Sequence, residues 1–454
     1  MLLQKNLCPG SSLHVSHKGT EDTKKRRKCF YDLYPGSWQS VITEGRLVMK
    51  IFFMIGWRNL WRNKRRSLVV ISSIAMGIFA MLMSMGIMNG MNNQMVENTI
   101  STSLGHISIH RKGFQEDMKL QNSFIPSEEI QRSLADFPRH APRLKMEAMI
   151  RSSEASRGIL LMGVDPEKEK SVTKIFDYTL DKDGYLSDPG AHEVLISKTL
   201  SEKLDILIGD KVVMMFQDLN KEIVGVAFKV RGLYRSPIDS FDKYVVFTGI
   251  DVLQKLTGMG ERISEITVHV EHRKKVDEAA ARIGKSLKNP EIELLTWKEM
   301  APNLLRAIQL FDTSIYIFFS IIFITVTFSI ANTLIMAIME RFHEIGVMKS
   351  IGTRPSWIGA MVLFEAINLG FVGLLAGAAS GVAVTFLLSL NGIDFSFFME
   401  SVRVWGTGQI IYPALKPMDI IACGVIVLTT TVIAALYPAI KAARIKPLDA
   451  LHYL

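Results

Sequence analysis

The stretch Arg62-Asn-Lys-Arg-Arg-Ser-Leu-Val-Val-Ile-Ser-Ser-Ile-Ala-Met-Gly-Ile-Phe-Ala-Met-Leu-Met-Ser-Met-Gly-Ile-Met-Asn-Gly-Met91 settles what kind of chain this is. Four bases, Arg62, Lys64, Arg65 and Arg66, run straight into Ser67–Met91, which carries no charge. A helix needs ~20 mostly apolar residues to cross ~30 Å of hydrocarbon, and this run has that length. Bases packed at one end of a span mark the end that stays inside. The whole chain agrees: 454 residues are 48% hydrophobic and 21% charged, with a mean hydropathy of +0.21. That balance excludes an ordinary cytosolic protein and a disordered one. Only 3 cysteines, Cys8, Cys29 and Cys423, are present, so neither a disulfide scaffold nor a cysteine metal site is in play.

Three further runs qualify as spans: 313–339, 357–390 and 419–440. Charge orients them. Residues 1–66 carry a net +10, residues 92–306 a net −1 and residues 307–454 a net 0. A nucleic-acid binder would place its bases on a folded domain; here they sit in an N-terminal arm and beside a span. The 340–356 loop (Arg341, Lys349, Arg354) and the 441–454 tail (Lys441, Arg444, Lys446) join that arm on the cytoplasmic side. The expected fold is an α-helical membrane protein with four transmembrane helices. A large mixed α/β extracytoplasmic domain, residues 92–306, lies between the first and second, and a 391–418 loop shares its side.

Strands are expected at Gly105–His110, Lys211–Phe216, Phe228–Leu233 and Ile266–Val270, and helices at Ser127–Asp136, Ile196–Leu204 and Val276–Leu287. Residues 1–48 are polar and basic with no apolar signal-peptide core, and read as a disordered extension or a misassigned start. Residues 50–66 read as an interfacial amphipathic helix or as a cytoplasmic extension of the first span. Phe53, Trp57, Leu60 and Trp61 form its apolar stripe, and Arg58, Arg62 and Arg65 lie opposite.

Within the spans, Gly370, Gly373, Gly377 and Gly381 share one face, and Gly86 and Gly90 repeat the four-residue spacing. Small residues let helix backbones approach closely in lipid, so these are helix-packing positions, within the chain or between copies. Met76, Met81, Met83, Met85, Met88 and Met91 make the first span methionine-rich. They are lipid-facing filler or, in a protein that handles acyl chains, a surface that faces cargo at Met81, Met85 and Met88. Glu365 stands ~12 Å along its helix from Trp357, at 1.5 Å per residue. A lone acid makes a poor proton relay, so it is expected to snorkel or to pair with a base at the cytoplasmic edge.

The loop Glu340-Arg-Phe-His-Glu-Ile-Gly-Val-Met-Lys-Ser-Ile-Gly-Thr-Arg-Pro-Ser356 is the most informative segment. Its middle reads as a short helix with Phe342, Ile345 and Met348 as an apolar stripe, ended by Gly352 and Pro355. Held between two spans, such a helix is suited to docking into a groove on a cytoplasmic partner.

Catalytic motifs are incomplete wherever they begin. Gly284-Lys285-Ser286 lacks the upstream glycine of a phosphate loop, Ala279 standing there. His343-Glu344 lacks the second zincin histidine, Val347 standing in its place. Ser380-Gly381 lacks the rest of a nucleophile elbow, and His106 and His110 on one strand would lie ~13 Å apart. No catalytic residue and no metal ligand are expected.

The run Asn332-Thr-Leu-Ile-Met-Ala-Ile-Met-Glu-Arg-Phe-His-Glu-Ile-Gly-Val-Met-Lys-Ser-Ile-Gly352 resembles the coupling segment of FtsX-like ABC transporter permeases of the MacB, LolC and LolE type. Trp57-Arg-Asn-Leu-Trp-Arg-Asn-Lys-Arg-Arg66 resembles the start of that family, and Tyr437-Pro-Ala-Ile-Lys-Ala-Ala-Arg-Ile-Lys-Pro-Leu-Asp-Ala-Leu451 its ending. Gly105-His-Ile-Ser-Ile-His110, with Glu193-Val-Leu-Ile-Ser197 and Ile208-Gly-Asp210, is similar to the lipoprotein-releasing branch. The likeness spans residues 50–454. It implies mechanotransmission: two permeases, copies or paralogues, pair in the bacterial inner membrane. ATP and Mg on separate cytoplasmic ATPase subunits drive motion of MacB-like periplasmic domains, and a lipidated protein passes to a periplasmic chaperone. Glu340, Arg341, Glu344, Ile345, Gly346, Lys349 and Gly352 would then face the ATPase. The alternatives are efflux of macrolides or peptides, and a non-transporting signal transmitter to envelope hydrolases.

Overall fold

The computed structural model describes residues 53–398 and 403–447, so the expectation for residues 1–48 lies outside the described residues. Among the described residues four helices are long and apolar enough to cross a membrane: Lys64–Thr99, Pro302–Glu340, Pro355–Asn391 and Pro417–Ala443. The first and second run past their expected limits, into residues assigned from the sequence to the exported domain. Hydropathy marks only the lipid-soluble part of a helix. Polar residues such as Asn92, Asn93 and Gln94 continue the same hydrogen-bond ladder beyond it.

By its internal packing the chain divides into two units: residues 53–72, 327–372 and 428–447, and residues 73–326 and 373–427. In the first, residues 53–62 form a helix that packs on the third long helix. A Cβ at Gly56 would lie 2.7 Å from Asn368 Nδ2, and Asn368 donates to the Phe53 carbonyl at 3.2 Å. Of the expected apolar stripe, Phe53, Trp57 and Trp61 are exposed, but Leu60 is buried.

The second unit holds the exported domain. Its strands are β1 (Ile107–Arg111), β2 (His140–Arg151), β3 (Ser156–Val164), β4 (Glu193–Ser197), β5 (Lys211–Gln217), β6 (Ile223–Tyr234), β7 (Val245–Gly249), β8 (Glu265–Val268) and β9 (Ile292–Thr296). They lie in the order β3-β7-β4-β6-β5-β2-β8-β1-β9, and β2 also pairs with β3. The β2–β3 hairpin therefore closes β2, β5, β6, β4, β7 and β3 into a ring, while the first residues of β2 extend the sheet through β8 to β1 and β9. Leu144, Met146, Ile150, Leu161, Val194, Ile196 and Val230 belong to one continuous apolar core.

Two sequence expectations need correction here. Ile196 belongs to strand β4, and the helix starts only at Lys198, where the Ser197 hydroxyl accepts from the Leu200 amide at 2.9 Å. A short run buried on both faces has no period by which to tell strand from helix. The strand expected from Gly105 begins at Ile107, because Gly105 (φ +66°) makes the turn out of the first helix, and a Cβ there would strike Thr267.

The 391–418 loop ties down the outer ends of the helices. Gln94 donates to the Ile410 carbonyl at 2.8 Å and Asn98 to that of Gly406 at 3.0 Å. Arg403 pairs with Asp242 at 2.6 Å, and Trp405 meets Phe311 edge-on with centroids 5.1 Å apart. Gly90 lets this strap approach, since a Cβ there would overlap the Tyr412 carbonyl oxygen. Backbone cannot step aside as a side chain can. Gly90→Ala is expected to cost roughly 1–3 kcal/mol, readable as a lowered thermal midpoint of the full chain in detergent.

Candidate functional site

The loop between the second and third long helices folds as a short helix, Phe342–Ser350. Gly352, at φ +97° with open space around it, ends it, and its amide bonds the Lys349 carbonyl at 3.0 Å.

The stripe expected to meet a partner turns inward instead. Ile345 is 2% exposed within a cluster of Ile338, Ile358, Val362, Ala439, Ala442 and Ile445, with Phe342 and Met348 packed against it. Gly346 is buried too. A linker this short cannot carry its helix away from the spans it joins, so the nearest apolar surface is the chain's own. The expectation that Ile345 and Gly346 present themselves to a partner is corrected accordingly.

The four charged residues of the expected set are also engaged in cis. Glu344 meets Arg62 at 2.7 Å, and Glu340 meets Arg66 at 2.5 Å and Asn63 at 3.1 Å. The Arg62 hydrogen bond holds the half-exposed Glu344 carboxyl below its ordinary range. Arg341 reaches Glu365 at 3.4 Å, so the in-span acid has a basic partner. Lys349 donates to the carbonyls of Ala443 (2.7 Å) and Ile445 (2.6 Å), capping the fourth long helix as a cation at a helix C-terminus does. The short helix is thus fastened to the 53–62 helix, to the start of the first long helix, and to the third and fourth.

What remains outward is a second stripe. His343, Val347, Ile351 and Arg354 are exposed, Ile351 at 80%. Sequence reasoning passed over it. The signal was there, an i, i+4, i+8 spacing with apolar residues at its centre, but the inward stripe follows the helical period equally well.

The glycine faces pack inside the chain. Gly370 lies against Thr431, Gly377 against Ala75 and Ile78, Gly381 against Phe79 and Leu82, and Gly86 against Thr385; Gly373 is buried. Among the methionines, Met81 is buried by neighbouring helices, which corrects its expected exposure to cargo. Met85 and Met88 are half-buried, and Met85 touches Cys423, sulfur to sulfur at 3.6 Å. On the exported domain, Met149, Met215, Ile159, Leu160 and Ile223 line an open apolar hollow of about 790 Å³ with Glu147 beside it.

A short helix clamped between two apolar spans, with a mixed α/β domain inserted after the first span, is the architecture of a multi-pass membrane protein. Comparison with known proteins agrees. The family model of the MacB-like periplasmic core domain matches residues 67–286, and that of the FtsX-like permease C-terminal region matches residues 316–447. The chain belongs to the FtsX-like ABC transporter permeases, as its coupling segment led one to expect. Lipoprotein-releasing system transmembrane protein LolC of Neisseria meningitidis serogroup B is 24% identical to it, over 88% of this chain and 98% of that one. LolE of Haemophilus influenzae is 20% identical over 88% and 98% respectively. The extracellular domain of the noncanonic ABC-type transporter YknZ from Gram-positive bacteria matches at 15% identity with a TM-score of 0.31, covering 42% of this chain and 100% of that one.

Proposed function

We propose that this chain is the permease of a lipoprotein-releasing ABC transporter in a bacterial inner membrane, working by mechanotransmission. A separate cytoplasmic ATPase, holding ATP and Mg, docks on the Phe342–Ser350 helix. The chain performs no bond-breaking step itself. It pairs with a second copy or a paralogue, and its exported domain passes lipidated protein to a periplasmic chaperone.

The observation that carries this reading is the fastening of the short helix by Arg62–Glu344, Arg66–Glu340, Arg341–Glu365 and Lys349. Exposed ion pairs contribute little stability, ~0–1 kcal/mol each. Several of them on one helix fix its orientation, so a push on its outward stripe moves the attached helices with it. The length-wide similarity to proteins named for lipoprotein release supports the choice of cargo.

The test is purification of the tagged chain in mild detergent, with every co-eluting subunit identified, followed by ATP hydrolysis with lipidated and unlipidated cargo. A co-eluting ATPase stimulated several-fold by the lipidated form alone is the expected result. Equal stimulation by unlipidated peptide would turn the reading to efflux. Absence of any ATPase would leave a transmembrane signal transmitter.

A further inference from the structure

The first long helix does not end in an ordinary turn. Residues Ile100–Leu104 form a π-helical turn, closed by the Gly105 amide on the Ile100 carbonyl at 2.9 Å. Such turns are rare, and the last carbonyls of a helix have no partner within it. Two of them are taken up by the exported domain. The Ser101 carbonyl accepts from the Lys174 amide at 2.8 Å. The Ser103 carbonyl accepts from Arg143 Nη1 at 2.5 Å.

Arg143 is wholly buried, and its fork has three destinations. Nη2 and Nε donate to the two oxygens of Glu169 at 2.6 and 3.1 Å. Nη1 is shared between the Ser103 carbonyl and Glu265 Oε1, the latter at 3.2 Å. Glu169 lies on the Pro166–Val172 helix, Glu265 on β8 and Arg143 on β2. One planar cation therefore binds the last turn of a membrane helix to three separate elements of the exported domain. Lys145 neutralises the second acid at 2.5 Å, Ser108 donates to its other oxygen, and Thr173 and Thr267 add bonds to Glu169 Oε1 and Glu265 Oε1.

Stability alone does not account for such a cluster. Burying two bases and two acids costs desolvation that well-packed apolar residues avoid, and apolar replacement of whole clusters is often neutral or stabilising. What an apolar cluster lacks is direction, since greasy side chains slide where a guanidinium fork holds one geometry.

We propose that Arg143 is a positioning residue: it locks the outer end of the first membrane helix to the exported domain, so that a displacement of the helix turns the domain with it. The proposal deepens the transporter reading and rests on it for its purpose, while its geometry is tested without ATPase or cargo. Spin labels go on exposed positions of the helix and the domain, Asn93→Cys and Glu202→Cys. They are placed in the full chain in nanodiscs, with Cys8, Cys29 and Cys423 replaced by Ala, and the label–label distance distribution is read by pulsed EPR. The test variant is Arg143→Met with Glu169→Gln, which removes one base and one acid and leaves Lys145 paired with Glu265. A second variant, Arg143→Lys, keeps the charge but cannot reach all three acceptors.

The expected result is a distribution at least about twofold broader in both variants, with a thermal midpoint within a few degrees of the parent for the double variant. An unchanged distribution in both overturns the proposal. If both variants melt far below the parent while the distances stay narrow beneath the transition, Arg143 serves stability alone and the proposal likewise fails. Each of these outcomes is independent of whether an ATPase co-purifies.

Discussion

Val347→Asp together with Ile351→Asp is expected to release the ATPase proposed to dock on the short helix, weakening its binding at least about a hundredfold, roughly 3 kcal/mol. Both side chains are exposed, Val347 on the outward side of the short helix and Ile351 at its C-terminal end. A carboxylate in an apolar contact must be desolvated without a partner, which is among the largest penalties a single substitution imposes on an interface. The pair leaves Ile345 and its cluster untouched, so the chain's own thermal midpoint should not move. Ile345→Asp is the contrasting variant. It places a charge amid Ile338, Val362 and Ala442, and should lower the midpoint of the whole chain. Co-elution and melting are measured side by side on equal amounts of solubilised protein. Release by Ile345→Asp at unchanged midpoint, with retention by the double variant, would mean that the inward stripe is the docking face after all.

The second large effect concerns Glu265. This buried acid accepts from Arg143, Lys145, Ser108 and Thr267. Burial alone would push its carboxyl up, but Lys145 and Arg143 outweigh burial and hold it down at about 2. Glu265→Gln leaves two buried bases facing one acid, Glu169. Breaking a buried pair in this way costs about 3–5 kcal/mol. At about 2–4 °C per kcal/mol for a domain of this size, the thermal midpoint should fall by roughly 6–20 °C. The pH dependence has a definite sign. The folded-state pKa lies below the unfolded value of ~4.3, so the stability Glu265 contributes is complete above that pH and is lost as pH falls from there toward 2. Wild-type protein should lose midpoint steadily over that window, and the Gln variant should lack this part of the loss. Parallel acid profiles would show that Glu265 does not carry the effect.

The membrane class and the four spans were legible because lipid imposes a demand that composition alone can meet: a long run without charge. The exported strands were legible where one face meets water, as in β5, where buried and exposed residues alternate. Strand β2 escaped notice because Arg143 and Lys145 interrupt what would otherwise read as an apolar run, and charged residues normally mark the solvent face. Their partners, Glu169 and Glu265, are distant in sequence, so nothing near β2 announces that its charges are buried.

The candidate site divides along the same line. Its location, its short helix and the glycine that ends it follow from local chemistry, because a left-handed Gly352 and a nearby proline need no distant neighbour to act. Which stripe of that helix faces outward does not follow. The nine residues carry Phe342, Ile345 and Met348 on one side, while Val347 on the other continues into Ile351 just past the helix end. Only the cluster supplied by Ile358, Val362, Ala439, Ala442 and Ile445 covers one and leaves the other exposed. The same holds for Met81, whose side chain suits lipid, cargo or core alike until neighbouring helices bury it. Span, domain order and family are written along the chain because they depend on length, charge and period. The direction each side chain takes depends on which distant residue reaches it first, and that was decided by the packed structure.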